Sequence, residues 1–289
     1  MIKRKGIILA GGTGSRLFPL TKVTSKQLVP VYNKPMIYYP LSNLIMMGVE
    51  EIAIIVSKGY LETYKSLLGD GADYGIKIDY LVQDSPDGLP QAYTLAEDFL
   101  GGAPSALILG DNLFFGYELP IFLSGFSSNL ERNVIFAHHV SDPTAFGVVE
   151  FDERQNVISL EEKPLVPRTN FAVTGLYLLD EDAPKIAKNL SRSSRGEFEI
   201  IDLLMEYTAR GDLSVEILGR GFSWFDGGTP DNLVDASSFV MMIKKRQGYD
   251  IGCIEEVAYR FGRINRFQFS TLIARLPKSS YREYLEGLL

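Results

Sequence analysis

The chain has one cysteine, two histidines and one tryptophan among 289 residues. A single cysteine excludes an internal disulfide and a cysteine-rich zinc or iron–sulfur site. Two histidines nearly exclude a histidine-rich metal centre. No apolar run approaches the length of a bilayer span. The basic start, Met1-Ile2-Lys3-Arg4-Lys5, leads into an apolar stretch that breaks at Gly11-Gly12, too short for a signal-peptide core. A soluble cytoplasmic protein is the expectation. Hydrophobic residues at 46% and charged residues at 22% exclude a disordered chain, a collagen-like repeat and a coiled coil. The length allows a core that needs no staples.

Acid is missing from the first 49 residues, which carry Lys3, Arg4, Lys5, Arg16, Lys22, Lys26 and Lys34. The net charge of the whole is −7, which disfavours non-specific nucleic-acid binding. A basic segment on an acidic protein is a local focus for an anionic ligand. Lys3 to Lys5 read as a frayed basic terminus. Arg16, Lys22 and Lys26, interleaved with glycines, read as functional.

Short apolar runs at residues 6–10, 52–56 and 106–109 read as buried strands, and residues 76–82 as a further strand. Helical spacing covers 34–47, 60–68 and 90–99, the last with proline in its first turn. This alternation predicts a doubly wound α/β fold with a mainly parallel sheet. After residue 130 come strands at 134–138, 147–151, 157–160 and 172–179 with few helices between them, an antiparallel extension of the sheet. Helices are expected at 199–209 and 233–246, then short helical pieces to the end. The division expected is a core of residues 1–250 with a helical appendage over 251–289. Open α/β sheets bind ligands at the carboxyl ends of their strands, and Gly11, Gln83 and Asp111 each follow a predicted strand closely.

The first strand runs into Gly11-Gly12-Thr13-Gly14-Ser15-Arg16. A glycine-rich turn lets backbone N–H groups approach phosphate oxygens. The dinucleotide fingerprint fails because Leu17 stands where its third glycine belongs, and the P-loop fails because Gly12-Thr13 replaces its lysine pair. A plain tight turn would use the same glycines. Arg16 and Lys26 favour a polyphosphate, one as a planar fork and one as a point charge.

Residues 9–17, followed by Ser25-Lys26-Gln27-Leu28-Val29-Pro30 and Lys34-Pro35-Met36-Ile37, resemble the signature of sugar-1-phosphate nucleotidyltransferases. The resemblance continues through Gln83-Asp84-Ser85-Pro86-Asp87-Gly88-Leu89, Gly110-Asp111-Asn112, residues 146–152 and Leu160-Glu161-Glu162-Lys163-Pro164. Val173-Thr174-Gly175-Leu176-Tyr177, Arg195-Gly196-Glu197 and Trp224-Phe225-Asp226 extend it, from residue 5 to about 250. It implies the family's Rossmann-like fold, a central mixed, mostly parallel sheet flanked by helices. It also implies in-line attack of a sugar phosphate on the α-phosphorus of a nucleotide, with no protein base and no covalent enzyme intermediate. Within the family the motifs stand nearest members that couple dTTP with glucose 1-phosphate in deoxysugar and cell-surface polysaccharide biosynthesis. UTP or another hexose 1-phosphate stays open.

The resemblance assigns roles. Asp111 and Asp226 would hold Mg²⁺, which favours one or two carboxylates plus phosphate oxygens. Arg16 and Lys26 would neutralise the leaving pyrophosphate, and Lys163 would hold the sugar phosphate. Gly11, Gly12, Thr13, Gly14, Ser15 and Pro86 would line the nucleotide, with Gln27 near its sugar and Gln83 and Gly88 at the base. Asn112, Gly147, Glu162, Val173 and Arg195 would serve the sugar phosphate. A homo-oligomer, a tetramer, is implied, with feedback by a downstream deoxysugar nucleotide through Arg220 and Arg260. Phe146 stands where Tyr is common, Gly227 where Thr is common after the second aspartate, and Ile201 where Thr is common. The competing class is a sugar-nucleotide sensor without turnover. His138-His139 and Cys253 read as structural, since no activating partner for the thiol is evident.

Overall fold

The computed structural model describes residues 3–127, 132–193 and 195–289, so Met1 and Ile2 of the basic start lie outside it. Strand β1 (Lys5–Ala10) is central, with two short strands, β2 (Pro30–Val31) and β3 (Lys34–Pro35), behind it in sequence. Then come β4 (Glu51–Ser57), β5 (Lys77–Gln83) and β6 (Ser105–Leu109). β1 pairs in parallel with β4 and β6, and β4 in parallel with β5. β1, β4 and β6 are largely apolar because both faces of the parallel sheet are covered there, whereas β5 stands at the sheet edge with Lys77 exposed and most of the strand half-buried. Successive residues point to opposite faces. Ile8, Ile54 and Ile108 therefore enter one core, and Ile7, Ile55 and Leu107 the other.

The remaining strands are β7 (Asn112–Gly116), β8 (Val134–His139), β9 (Gly147–Phe151), β10 (Val157–Glu162), β11 (Phe171–Leu179), β12 (Ser214–Leu218) and β13 (Phe222–Asp226). β11 lies antiparallel to β6 and carries the sheet on to β9 and β10, while β8 and β12 branch from it. The sheet order is β10-β9-β11-β6-β1-β4-β5. β7 and β13 form a separate antiparallel ribbon, as do β2 and β3.

Helices α1 (Tyr38–Met46) and α2 (Leu61–Leu68) follow β3 and β4, and α3 (Gln91–Leu95) and α4 (Glu97–Leu100) follow β5. Next are α5 (Leu119–Ser124), α6 (Ala183–Asn189), α7 (Ile200–Ala209) and α8 (Pro230–Gln247). The end is α9 (Ile254–Arg260), α10 (Arg266–Arg275) and α11 (Ser280–Glu286). Val257, Phe269 and Leu285 of these last three helices share a core with Ile8 and Ile54.

Four expectations are corrected. The helix expected from residue 34 starts at Tyr38, because Lys34–Pro35 pairs back on Pro30–Val31. The helix expected over 90–99 is broken at Ala96, whose backbone leaves helical geometry at φ −91, ψ 4. β7, β12 and β13 were not anticipated, and neither was α6. Lys3 to Lys5 is not frayed: Lys3 pairs with Glu50 at 2.6 Å, and the buried Arg4 donates to the Ser105 carbonyl at 2.7 Å. Burial lowers the Arg4 guanidinium to about 10, with Tyr93 and Asp180 opposing. Among the described residues no helix is long and apolar enough to cross a membrane.

Candidate active site

The glycine-rich turn leaves β1 at the carboxyl edge of the sheet, where β5 ends at Gln83 and β6 runs out to Asp111. A cavity of about 320 Å³ opens there, lined by residues 11–16, Lys26, Gln27, Pro86, Asp111, Glu197 and Gly228 among others. Gly11 has no room for a side chain: a methyl there would strike Gln83 Oε1. Gly88, at φ 116, is likewise closed to a side chain by the Phe198 backbone. That contact ties the 85–88 loop to the segment carrying Arg195 and Glu197.

The β7–β13 ribbon joins the two candidate metal ligands across more than a hundred residues. Asn112 faces Asp226 in register, and the Gly227 N–H donates to the Asp111 carbonyl at 2.8 Å. Burial raises the Asp111 carboxyl, but the Lys26 ammonium it pairs with, together with Asn112, overcomes this and leaves it below its ordinary value. Asp226 is raised, first by burial and then by the charge of Asp111. Its Oδ1 is buried with no hydrogen-bond partner. That atom and Arg16 Nη2 both crowd Gly228. Two adjacent carboxylates, one with an orphaned buried oxygen, fit a divalent cation. Among the described residues no cluster of three or more His, Cys, Asp or Glu side chains could hold a metal, so substrate oxygens would have to complete the shell.

On the side expected to take the nucleotide the amides are locked. Gln27 is buried, and its Oε1 accepts from Ser25 Oγ at 2.9 Å and the Tyr64 hydroxyl at 3.5 Å. Gln83, also buried, donates from Nε2 to Gln91 Oε1 at 2.6 Å.

The sugar-phosphate candidates gather apart from the cavity lining, around Glu162 at the end of β10. Lys163 Nζ stands 3.4 Å from Glu162 Oε1 and Arg195 Nη2 3.3 Å from it. Arg195 also holds Glu199 at 2.6 Å. Gly147 faces Glu162 in register. Lys163 has φ 47, a left-handed backbone rare outside glycine, and its side chain is half exposed. Such strain at a site motivates a functional reading. Asn112 Oδ1 accepts from the Gly175 N–H at 3.0 Å and from Trp224 Nε1 at 2.6 Å, and Trp224 packs on Phe146. Val173 is a buried member of the second core.

Arg220 and Arg260 are not joined. Arg220 lies in the exposed turn between β12 and β13, whereas Arg260 at the end of α9 donates to Glu256 at 2.6 Å. His138 Nδ1 lies 3.1 Å from the Leu218 carbonyl. Cys253 is buried, and that burial pushes its thiol well above the ordinary value.

Sequence reasoning missed Glu197, Gly228, Gln91 and Tyr64. The aromatic runs at 112–116 and 222–226, each near glycines, were the available signal for the ribbon that brings Gly228 to the site.

A family model described as Nucleotidyl transferase matches residues 5–242. The chain is 48% identical to the glucose-1-phosphate thymidylyltransferase of Neisseria gonorrhoeae over 285 residues, 99% of each chain. It is 49% identical to that of Xanthomonas campestris pv. campestris, covering 100% of this chain and 98% of the relative. A solved UDP-glucose pyrophosphorylase complexed with UDP-glucose superimposes with a TM-score of 0.74 at 25% identity, covering 85% of this chain and all of that one.

Proposed function

The chain belongs to the nucleotidyl transferase family, and on that premise we propose that it joins glucose 1-phosphate to dTTP, releasing pyrophosphate and forming dTDP-glucose. It is an enzyme of nucleotidyl transfer. The substrate pair rests on 48–49% identity across whole chains to enzymes of that name. The chemistry rests on one observation, the carboxylate pair that the β7–β13 ribbon sets beside a glycine-rich turn with Lys26 and Arg16.

A phosphate oxygen of the sugar phosphate attacks the α-phosphorus in line with departing pyrophosphate. The attacking group is already anionic, so no protein base is needed. Catalysis is positioning and charge neutralisation. Mg²⁺, held by Asp111 and Asp226, would neutralise phosphate charge. Residues 11–15 present backbone N–H groups to the triphosphate. Lys26, which pairs with Asp111, and Arg16 draw the leaving pyrophosphate. Lys163 and Arg195 orient the sugar phosphate, and Glu162 accepts hexose hydroxyl protons in hydrogen bonds. Gln83 and the Gly88 backbone face the base.

We read residues 1–250 as the core and 251–289 as a helical appendage packed on it, in a cytoplasmic homotetramer. The family model ending at residue 242 supports the boundary, and exposed Tyr117 and Ile121 support a subunit face. Feedback by a deoxysugar nucleotide through Arg220 and Arg260 belongs to this reading. Arg260→Ala relieves that inhibition and spares the uninhibited rate if it holds.

The test is pyrophosphate release, crossing dTTP, UTP, ATP, CTP and GTP with glucose, mannose and N-acetylglucosamine 1-phosphates, with and without Mg²⁺. Mg²⁺-dependent release led by dTTP and glucose 1-phosphate is expected. Another leading pair overturns the substrate, and tight dTDP-glucose binding without release favours a sensor. Shared use of UTP is the second reading, supported by the likeness to UDP-glucose pyrophosphorylase. A single methyl gives only about 10–200-fold discrimination.

A further inference from the structure

An amide side chain can present either its oxygen or its NH₂ to a base, so Gln83 alone does not determine which pyrimidine fits. The neighbours of Gln83 remove that freedom. The Asp87 backbone N–H can only donate, and it donates to Gln91 Oε1 at 3.0 Å. That fixes which end of the Gln91 amide is oxygen. Gln91 Nε2 then faces Asp87 Oδ2 at 3.3 Å, a carboxylate that Ser85 and Arg192 hold below its ordinary value. The same Gln91 oxygen lies 2.6 Å from the Gln83 amide nitrogen, so that nitrogen must be the donor. Gln83 Oε1 is left facing Gly11 on the floor of the nucleotide turn. Flipping Gln83 would set two carbonyl oxygens against each other in a buried place, with the Asp87 N–H unable to relieve them.

We propose that Gln91 is a specificity-determining positioning residue: through Gln83 it commits the base site to an acceptor, and hence to pyrimidines carrying a ring N–H. This rests on the reading that Gln83 faces the base. Thymine and uracil carry that proton between two carbonyls. Cytosine has an unprotonated ring nitrogen at the same place and meets Gln83 oxygen to lone pair. The chain Asp87–Gln91–Gln83 therefore rejects cytosine without any side chain of Gln91 touching the nucleotide.

The experiment measures kcat/KM for dTTP and dCTP with glucose 1-phosphate in the wild type, in Gln91→Met and Gln83→Leu, and in the double variant Gln91→Glu with Asp87→Asn. Gln91→Met frees the Gln83 amide to turn. The dCTP-to-dTTP ratio is expected to rise about tenfold or more, carried by the nucleotide KM, with the KM for glucose 1-phosphate unchanged. Gln91→Glu paired with Asp87→Asn keeps an acceptor for both Gln83 and the residue 87 N–H without setting two carboxylates against each other, and restores the wild-type ratio. If Gln91→Met does not fold, Gln91→Asn withdraws the acceptor by one methylene and gives the same reading. An unchanged ratio in Gln91→Met, with discrimination lost in Gln83→Leu, overturns the role of Gln91 alone. An unchanged ratio in Gln83→Leu overturns the base reading, and the proposal with it. A proportional loss of both nucleotides in Gln91→Met means only a loosened loop and also overturns it.

Discussion

Lys34 and Lys26 each meet an aspartate away from bulk water, but the two aspartates keep different company. Asp250 takes Lys34 and Lys244, the latter at 2.6 Å, and Asn33 donates to both of its oxygens at 3.2 and 3.4 Å. Every oxygen of that carboxylate has a donor. This cluster ties β3 to α8 and to the segment leading into α9. Asp111 takes Lys26 and Asn112, yet beside it Asp226 keeps a buried Oδ1 with no hydrogen-bond partner. Both clusters are costly to bury. The first offsets that cost within the chain. The second leaves part of it unmet within the chain, which is what the proposed metal site requires and a structural joint does not.

The largest effect should come from breaking the incomplete cluster. Asp226→Asn keeps the shape and removes a like charge beside Asp111. Nucleotidyl transfer should fall about 10²–10³-fold, while the melting temperature holds or rises. A variant that keeps its rate, or loses stability, would erase the contrast between the clusters.

Breaking the complete cluster should do the reverse. Asp250→Ala strands the buried Lys34 ammonium and should cost about 3–5 kcal/mol in denaturant unfolding. Turnover per folded molecule should be unchanged. A loss of turnover without loss of stability would place Asp250 in the chemistry instead.

The acid limb sharpens this. Burial raises the Asp250 carboxyl, but Lys34 and Lys244 overcome it and hold the group below its ordinary 3.8. A depressed acid stabilises the fold above its unfolded value and loses that contribution as pH falls through the folded value. The stability gap between wild type and Asp250→Asn should therefore be full at neutral pH and close below pH 3.8. A gap that widens on acidification would have the wrong sign.

The smallest effect belongs to a neighbour of the site. Tyr64→Phe removes one donor to Gln27 and Ser25. It should cost about 1 kcal/mol of stability and raise the nucleotide KM, leaving the KM for glucose 1-phosphate alone. Equal movement of both constants would mean general loosening.

Much of this was legible in one dimension. β1, β4 and β6 are runs of apolar, β-branched residues between turn signals, and such runs in alternation with helices admit few folds. The glycine-rich turn, Arg16 and Lys26 are contiguous enough to read as a phosphate site. Gln83 and Asp111 were legible because each stands at or just beyond the carboxyl end of an expected strand. Arg4 was misread, because a basic residue near a terminus looks solvated until the Ser105 carbonyl is found against it.

What the amino-acid order determined by itself is local: which runs are strands, where the turn must be glycine, and where positive charge gathers. Those follow from periodicity, from backbone sterics and from counting. The meeting of Asp111 with Asp226, the convergence of Lys163 and Arg195 on Glu162, and the orientation of the Gln83 amide were decided only by tertiary structure. Each depends on contacts between segments far apart in the chain, or on which end of an amide finds a donor. Neither kind of contact leaves a periodic signal, because its energy comes from pairing across space and not from the conformational preference of any one segment.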